Sequence, residues 1–215
     1  MADRERIGLL GGAFDPVHDG HLEMARAARA AAGLDRVIFI PAAVSPYKSG
    51  EASASASDRL AMLRLAVAGR PEWTVSGIEL DRGGISYTID TLRTLERRTG
   101  SGAEFHLIIG MDNFLALSGW KEIGEVIRKA RFIVASRPGY DPGRLAGDDR
   151  YWAERVRERK RLLTVELAIP VSSSEIRRTV REGGDHRPFL PEAVADYIEE
   201  HRIYQDNENG KSRDN

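Results

Sequence analysis

A doubly wound, parallel α/β sheet with helices on both faces is predicted by three observations. Six short apolar runs recur along the chain, separated by stretches of helical period. The first run, Ile7–Leu10, ends in Gly11-Gly12 and leads straight into an alanine-rich segment, a strand-turn-helix order. The 215 residues, 41% of them hydrophobic, are enough for one sizeable core and do not require two. A single Rossmann-like domain over residues 1–204, followed by a polar tail over 205–215, is the expected organisation.

The elements follow in order. Leu22–Ala32 is rich in alanine, the best helix former, and Gly33 stands where a left-handed cap would end the helix. Val37–Ile40 is a second buried strand stopped by Pro41, so the first three elements make a parallel pair with a right-handed crossover. Residues 42–57 are mostly alanine, serine, glycine and proline, without periodicity, and are expected to be a mobile loop. Ser57 or Asp58 is positioned to cap a helix carrying Leu60, Leu63 and Val67 inward. Trp73–Ile78 has strand character, and Gly83-Gly84 gives a turn. Ser86 then caps a helix whose buried face is Ile89, Leu92 and Leu95.

Phe105–Ile109 is the most apolar strand, and Gly110-Met111-Asp112 follows at its carboxyl end, where open α/β sheets bind ligands. Trp120, Ile123 and Ile127 have helical spacing. Phe132–Ala135 is a fifth strand. The densely charged stretch 150–161 reads as a helix with Tyr151, Trp152 and Val156 on its apolar side, its basic residues forming a solvated face. Leu162–Leu167 is the last strand. Ser172 and Glu175 have capping-box spacing at the start of a further helix, and Pro191 opens the final one, with Val194 and Ile198 inside.

Lys and Arg total 32 against 33 Asp and Glu, so the global basic field usual in nucleic-acid binders is missing and a small anion bound by local charges fits better. With no cysteine, disulfides, thiolate metal sites and thiol nucleophiles are excluded. No apolar run approaches the roughly 20 residues of a membrane span, and no signal core follows the charged first residues, so a cytoplasmic protein is expected. Local charge is found at the first turn. Two glycines let backbone N–H groups approach an anion, the next helix begins with unpaired amides, and His18 and His21 add donors three residues apart. Ser172, Ser173, Ser174 and Arg177 present a similar set at a second helix start.

The segment Gly11–His21, GGAFDPVHDGH, resembles the signature of the nucleotidyltransferase superfamily, and Val171–Arg177 resembles its second signature. The resemblance implies transfer of a nucleotidyl group from ATP or CTP, with the His-x-Gly-His element on the triphosphate. Other segments resemble the bacterial nicotinate mononucleotide adenylyltransferases: Pro46-Tyr47-Lys48, Ser86–Leu92, Gly110-x-Asp112 with Leu117-x-x-Trp120, Arg137-Pro138-Gly139, and Ile203-Tyr204. The likeness runs from Ile7 to Tyr204. Tyr47 stands where the family has histidine, and Ala13 where it often has threonine or serine.

From this resemblance follow the expected roles. His18 is assigned to the α-phosphate, and His21, Ser173 and Arg177 to the β- and γ-phosphates. Gly11, Gly12, Ala13, Phe14, Gly110, Asp112, Ser172 and Ser174 are expected around ATP. Lys48 and Arg137 are expected near phosphate, Thr88 on the acceptor's carboxylate and Trp120 on its ring. His18, His21, Lys48 and Arg177 make up the catalytic set. Mg²⁺ is expected with ATP and no protein-held metal, in a monomer or small homo-oligomer without nucleic-acid or membrane partners. Phosphopantetheine adenylyltransferase, a preference for the nicotinamide mononucleotide, a non-catalytic nucleotide-binding protein, and a metallohydrolase using Asp15, His18 and His21 are the competing readings.

Overall fold

The computed structural model describes residues 4–46, 53–136, 147–159, 161–167 and 171–205. Its sheet comprises β1 (Glu5–Gly12), β2 (Arg36–Pro41), β3 (Trp73–Val75), β4 (Ala103–Gly110), β5 (Ala130–Ser136) and β6 (Leu162–Glu166). They lie in the order β3-β2-β1-β4-β5-β6, and each neighbouring pair is parallel. The chain starts in the middle, winds outward through β2 and β3, returns to β4 and winds the other way. That reversal opens a crevice beyond the carboxyl ends of β1 and β4.

Nine helices are found among the described residues: α1 (Asp19–Ala32), α2 (Ala56–Val67), α3 (Ile78–Arg82), α4 (Thr88–Thr99), α5 (Met111–Phe114), α6 (Ile123–Lys129), α7 (Gly147–Glu158), α8 (Ser173–Arg181) and α9 (Glu192–Glu200). The sheet separates two cores. Leu10, Val37, Phe39 and Ile108 pack with residues of α1, α2, α8 and α9. Leu9, Ile38, Leu107 and Phe132 pack with residues of α3 to α7. Successive side chains of a strand point to opposite faces, so a strand covered on both sides must be apolar throughout; hence the continuous runs in the sequence. Gly8 has its own reason: a Cβ there would lie 2.7 Å from the Leu34 Cδ1 methyl and 2.9 Å from that of Ile108, so a larger residue would have to push both buried side chains aside.

The strands and the longer helices stand where expected, and Gly33 caps α1 in the left-handed region at φ 59°. Four local expectations are corrected. Ile78 opens α3 and is not in a strand; β3 is an edge strand paired only with β2 over three residues, with one further bond from the Ser76 amide to the Phe39 carbonyl before the chain turns into α3. Ser55, rather than Ser57 or Asp58, caps α2, its Oγ accepting from the Asp58 amide at 3.1 Å, the usual N-cap to N3 span. Ser86 is not a cap. Tyr87 precedes α4, and Ser86 Oγ accepts instead from the Ala43 amide at 3.0 Å. Last, the far end of the 42–57 segment is anchored: Ser53 and Ala54 donate to the Asp15 carboxylate at 2.7 and 3.0 Å. Residues 47–52 and the tail beyond Gln205 lie outside the described residues.

Candidate active site

Strand β1 stays paired with β2 as far as Gly12, opposite Pro41, but with β4 only as far as Leu10, opposite Ile108. The two central strands therefore part at Gly11 and Gly12. Nothing lies within 4 Å of where a Gly11 Cβ would be, so the backbone faces open space at the mouth of the crevice. Ala13 is half-buried, and its carbonyl accepts from Arg59 at 2.8 Å. Phe14 follows in the left-handed region at φ 50°, uncommon for an aromatic residue and of a kind concentrated at ligand sites. Its ring is buried against Phe39 and lies 4.9 Å from the ring of His21.

His18 occupies the N-cap position of α1 and is 5% exposed. Its backbone N–H donates to His21 Nδ1 at 3.2 Å, and the two imidazoles lie 3.8 Å apart. Because Nδ1 of His21 accepts, neutral His21 carries its proton on Nε2 as a donor. The pair thus sits where the positive end of α1 meets the strand gap.

The second motif comes directly onto the first. Ser172 and Glu175 form the expected capping box at the start of α8, with the Ser172 hydroxyl donating to Glu175. Ser173 Oγ donates to the Pro16 carbonyl at 3.0 Å, and Arg177 Nη1 donates to the Asp15 carbonyl at 2.7 Å. Arg177 Nη2 reaches the Ser174 hydroxyl at 3.3 Å. Two anion-favouring helix starts, more than 150 residues apart in sequence, are therefore joined by side-chain-to-backbone bonds. Across the gap, Gly110 ends β4 and Asp112 is exposed in the first turn of α5.

Thr88 and Trp120 belong to the opposite face of the sheet. Thr88 is half-buried as the first residue of α4. The loop before it is stitched to the loop after β2 by Ser86 Oγ, by the Ser86 amide to the Val44 carbonyl at 2.9 Å, and by a parallel bridge between Val44 and Ile85. This brings the amino end of α4 beside the crevice. Buried Glu79 reinforces it, accepting from Thr91 Oγ1 at 2.6 Å; burial raises its carboxyl above the ordinary range, opposed by the hydroxyl bonds of Thr91 and Ser86. Trp120 is 7% exposed and packs tilted at 6.4 Å from Phe132, so its indole forms part of the core wall. Lys48 and Arg137 lie outside the described residues.

Known proteins resemble this chain. The cytidylyltransferase-like family model covers residues 9–179 of this chain. The chain belongs to the cytidylyltransferase-like family. Among its curated relatives, a protein of Geobacter metallireducens is 42% identical over 212 residues, spanning 93% of this chain and 98% of its own. One of Moorella thermoacetica is 38% identical over 200 residues, spanning 93% and 92%. Both are named "Probable nicotinate-nucleotide adenylyltransferase". Among solved structures, the Plasmodium falciparum nicotinic acid mononucleotide adenylyltransferase complexed with NaAD superposes with a TM-score of 0.73 over 94% of this chain and 98% of its own; at 16% identity it supports the fold.

The glycine of this family's His-x-Gly-His element has a steric reason in this chain. A Cβ on Gly20 would sit 3.1 Å from the His18 ring and 3.1 Å from Val171, which leads into α8. Gly20 leaves room for the imidazole and Val171 to approach the same point. Gly20→Ala is expected to push the His18 ring aside and lower kcat by about tenfold, with a stability loss of about 1–3 kcal/mol from overpacking. Steady-state kinetics together with urea unfolding would check this; unchanged turnover would remove the steric role.

Several contacts that support the site carried no readable signal. Asp15 accepts at Oδ2 from Ser53 and at Oδ1 from Ala54 and from the Tyr204 hydroxyl at 2.7 Å. Its partners are 38, 39 and 189 residues away, so no periodicity announces them. Arg59 is 2% exposed and donates to the carbonyls of Ala13 and Ala42 at 2.8 and 2.7 Å. A usable clue did exist for Arg59: it shares the buried face of α2 with Leu63 and Ala66, where a cation is out of place unless it has partners. Among the described residues no group of three or more His, Cys, Asp or Glu is arranged to hold a metal.

A separate cavity of about 700 Å³ lies at the other end of the sheet, lined in part by Arg4, Glu104, Arg128, Lys129, Arg131 and Arg161. Arg161 donates to the carbonyls of Arg128 and Ala130, capping the end of α6, and Arg131 pairs with Glu104 at 2.8 Å. These cations lie beside the carboxyl ends of α4 and α6, whose negative ends they complement. Among the described residues no helix is long and apolar enough to cross a membrane.

Proposed function

We propose that this chain is a nicotinate-nucleotide adenylyltransferase, transferring AMP from ATP to nicotinate mononucleotide to form deamido-NAD and pyrophosphate. The observation that carries the reading is the junction of α8 with the His18 loop, Arg177 on Asp15 and Ser173 on Pro16. It converges two helix starts, two imidazoles and a guanidinium on one small volume. Such a volume suits a polyphosphate.

The acceptor phosphate needs no base. Its second pKa is about 6, so the nucleophile is largely dianionic at neutral pH, and the barrier lies in bringing two anions together and stabilising charge in an in-line transition state. His18, buried at the head of α1, serves the α-phosphate, where charge develops. His21 through Nε2, Ser173 and Arg177 hold the β- and γ-phosphates and stabilise departing pyrophosphate. The Ser172 and Ser174 hydroxyls and the amides of Gly11 to Phe14 line the same volume, with Gly110 and Asp112 on the nucleoside side. Lys48 and Arg137 are assigned to phosphate from the motif alone. The donors are N–H groups, hydroxyls and cations rather than carboxylates, which suits a nucleotide whose Mg²⁺ rides on its own phosphate oxygens and neutralises part of their charge. Asp15, already saturated by N–H and O–H donors, is unsuited to hold a metal.

Thr88 and the free amides of α4 receive the acceptor's carboxylate, favoured there by hydrogen bonds and by the helix dipole. The Trp120 indole, buried as it is, offers the ring an aromatic wall. An ATP-consuming step of this kind is consistent with a cytoplasmic enzyme. The test is pyrophosphate release from ATP and Mg²⁺ with nicotinate mononucleotide, nicotinamide mononucleotide or phosphopantetheine supplied separately. Nicotinate mononucleotide should lead the amide by about 10- to 100-fold in kcat/KM, the scale of one hydrogen bond to a charged group. Equal or faster use of the amide would overturn the substrate assignment.

A further inference from the structure

The carboxyl-terminal segment reaches back into the triphosphate site. After α9 the backbone turns through two non-glycine residues in the left-handed region, Arg202 at φ 51° and Tyr204 at φ 68°. Such geometry is uncommon and persists only where contacts hold it. Here Ile203 is buried in the core, and the turn swings the Tyr204 ring inward until its hydroxyl donates to Asp15 Oδ1 at 2.7 Å. Burial and the neighbouring carboxylate both push that phenol's pKa up, so it remains a donor at any ordinary pH.

Asp15 is where this matters. Its backbone carbonyl accepts from Arg177 Nη1 at 2.7 Å, while its carboxylate stands farther off, with Oδ2 at 3.8 Å from the same nitrogen. Three donors hold the carboxylate in that position: the amides of Ser53 and Ala54 and the hydroxyl of Tyr204. A buried carboxylate deprived of a donor turns to the nearest cation. Of the two cations beside it, Arg59 is committed to the carbonyls of Ala13 and Ala42, and Arg177 is already in a loose ion pair at 3.8 Å, so the turn is toward Arg177; Arg177 charge taken up more closely by Asp15 is charge withdrawn from phosphate.

We infer that Tyr204 is a positioning residue of the triphosphate clamp, its hydroxyl holding the Asp15 carboxylate off Arg177 so that the guanidinium remains available to ATP. The inference rests on the proposed role of Arg177 in phosphate binding. It adds a residue from the far end of the chain, acting through Asp15 and not through the nucleotide.

The experiment is a titration of the intact protein with a non-hydrolysable ATP analogue and Mg²⁺, comparing wild type, Tyr204→Phe and Tyr197→Phe. Tyr197 belongs to the same segment and gives its hydroxyl to Asp58 Oδ1 at 3.0 Å, a matched bond outside the clamp. Tyr204→Phe should weaken analogue binding by about tenfold, the loss of one charge-assisted contact, and raise KM for ATP alike while KM for the acceptor stays within about twofold. Tyr197→Phe should match it in thermal stability and bind the analogue as wild type does. In an Arg177→Gln background, Tyr204→Phe should have no further effect on the analogue, since the group it protects is gone. Analogue affinities of wild type and Tyr204→Phe within about twofold would overturn the inference. So would loss of fold in Tyr204→Phe with Tyr197→Phe intact, which would make Tyr204 a structural strut. Wild-type protein that binds no analogue would instead overturn the functional reading itself.

Discussion

Replacing His18 by alanine should lower kcat by at least about 10²-fold while leaving the fold intact, the scale of losing one preorganised donor from a transition state. The expectation comes from how completely this imidazole is placed. It is 5% exposed, heads α1, lies tilted with its centroid 3.8 Å from that of His21, and packs close against Gly20. A donor held so firmly needs no reorganisation when charge develops on the α-phosphate, which is why it acts on kcat more than on binding. The backbone amide of residue 18 would still donate to His21, so the first turn of α1 survives the substitution. Steady-state kinetics with saturating ATP, backed by circular dichroism, decide the matter. A fall of less than about fivefold would remove His18 from its assigned role.

The largest loss of stability is expected from Arg59→Met, about 3 kcal/mol or more, read by urea unfolding. Arg59 ties the carbonyl of Ala13, beyond β1, to that of Ala42, beyond β2, and its charge lies near buried Asp15. Burial lowers its pKa somewhat and Asp15 opposes that, so the guanidinium stays charged. Methionine would fill the volume but leave two carbonyls unsatisfied and a buried carboxylate without its neighbouring cation, the situation in which breaking a buried charged network costs most. Arg59→Lys should recover little, because one ammonium cannot reproduce a fork spanning two carbonyls. A loss under about 1 kcal/mol for Arg59→Met would show that the two loops hold without it.

Much of this architecture was legible in the chain. The apolar runs became strands because both sheet faces are covered, and Gly33 ended α1 because glycine tolerates the left-handed cap. The capping box at Ser172 and Glu175 formed as its spacing requires. What failed was short-range: the cap of α2, the role of Ser86 and the strand assignment of Ile78. For Ser86 the decision came from a distant partner, the Ala43 amide, which takes its hydroxyl as acceptor; for α2 a local choice between neighbouring serines and an aspartate fell to Ser55, and Ile78 follows an edge strand paired over only three residues.

By itself, then, the sequence determined the layered fold, the two anion-favouring helix starts and, through its motifs, the family to which the chain belongs. These depend on periodicity and backbone chemistry, which act over a few residues and can be read in order. Only the tertiary structure decided how the two starts meet, with Ser173 and Arg177 bound to the backbone of Pro16 and Asp15. It alone showed that Asp15, Arg59 and Tyr204 support them from sites up to 189 residues apart. The physical reason is burial: a carboxylate or guanidinium removed from water must find partners wherever the fold places them, and nothing in the local sequence says where that will be.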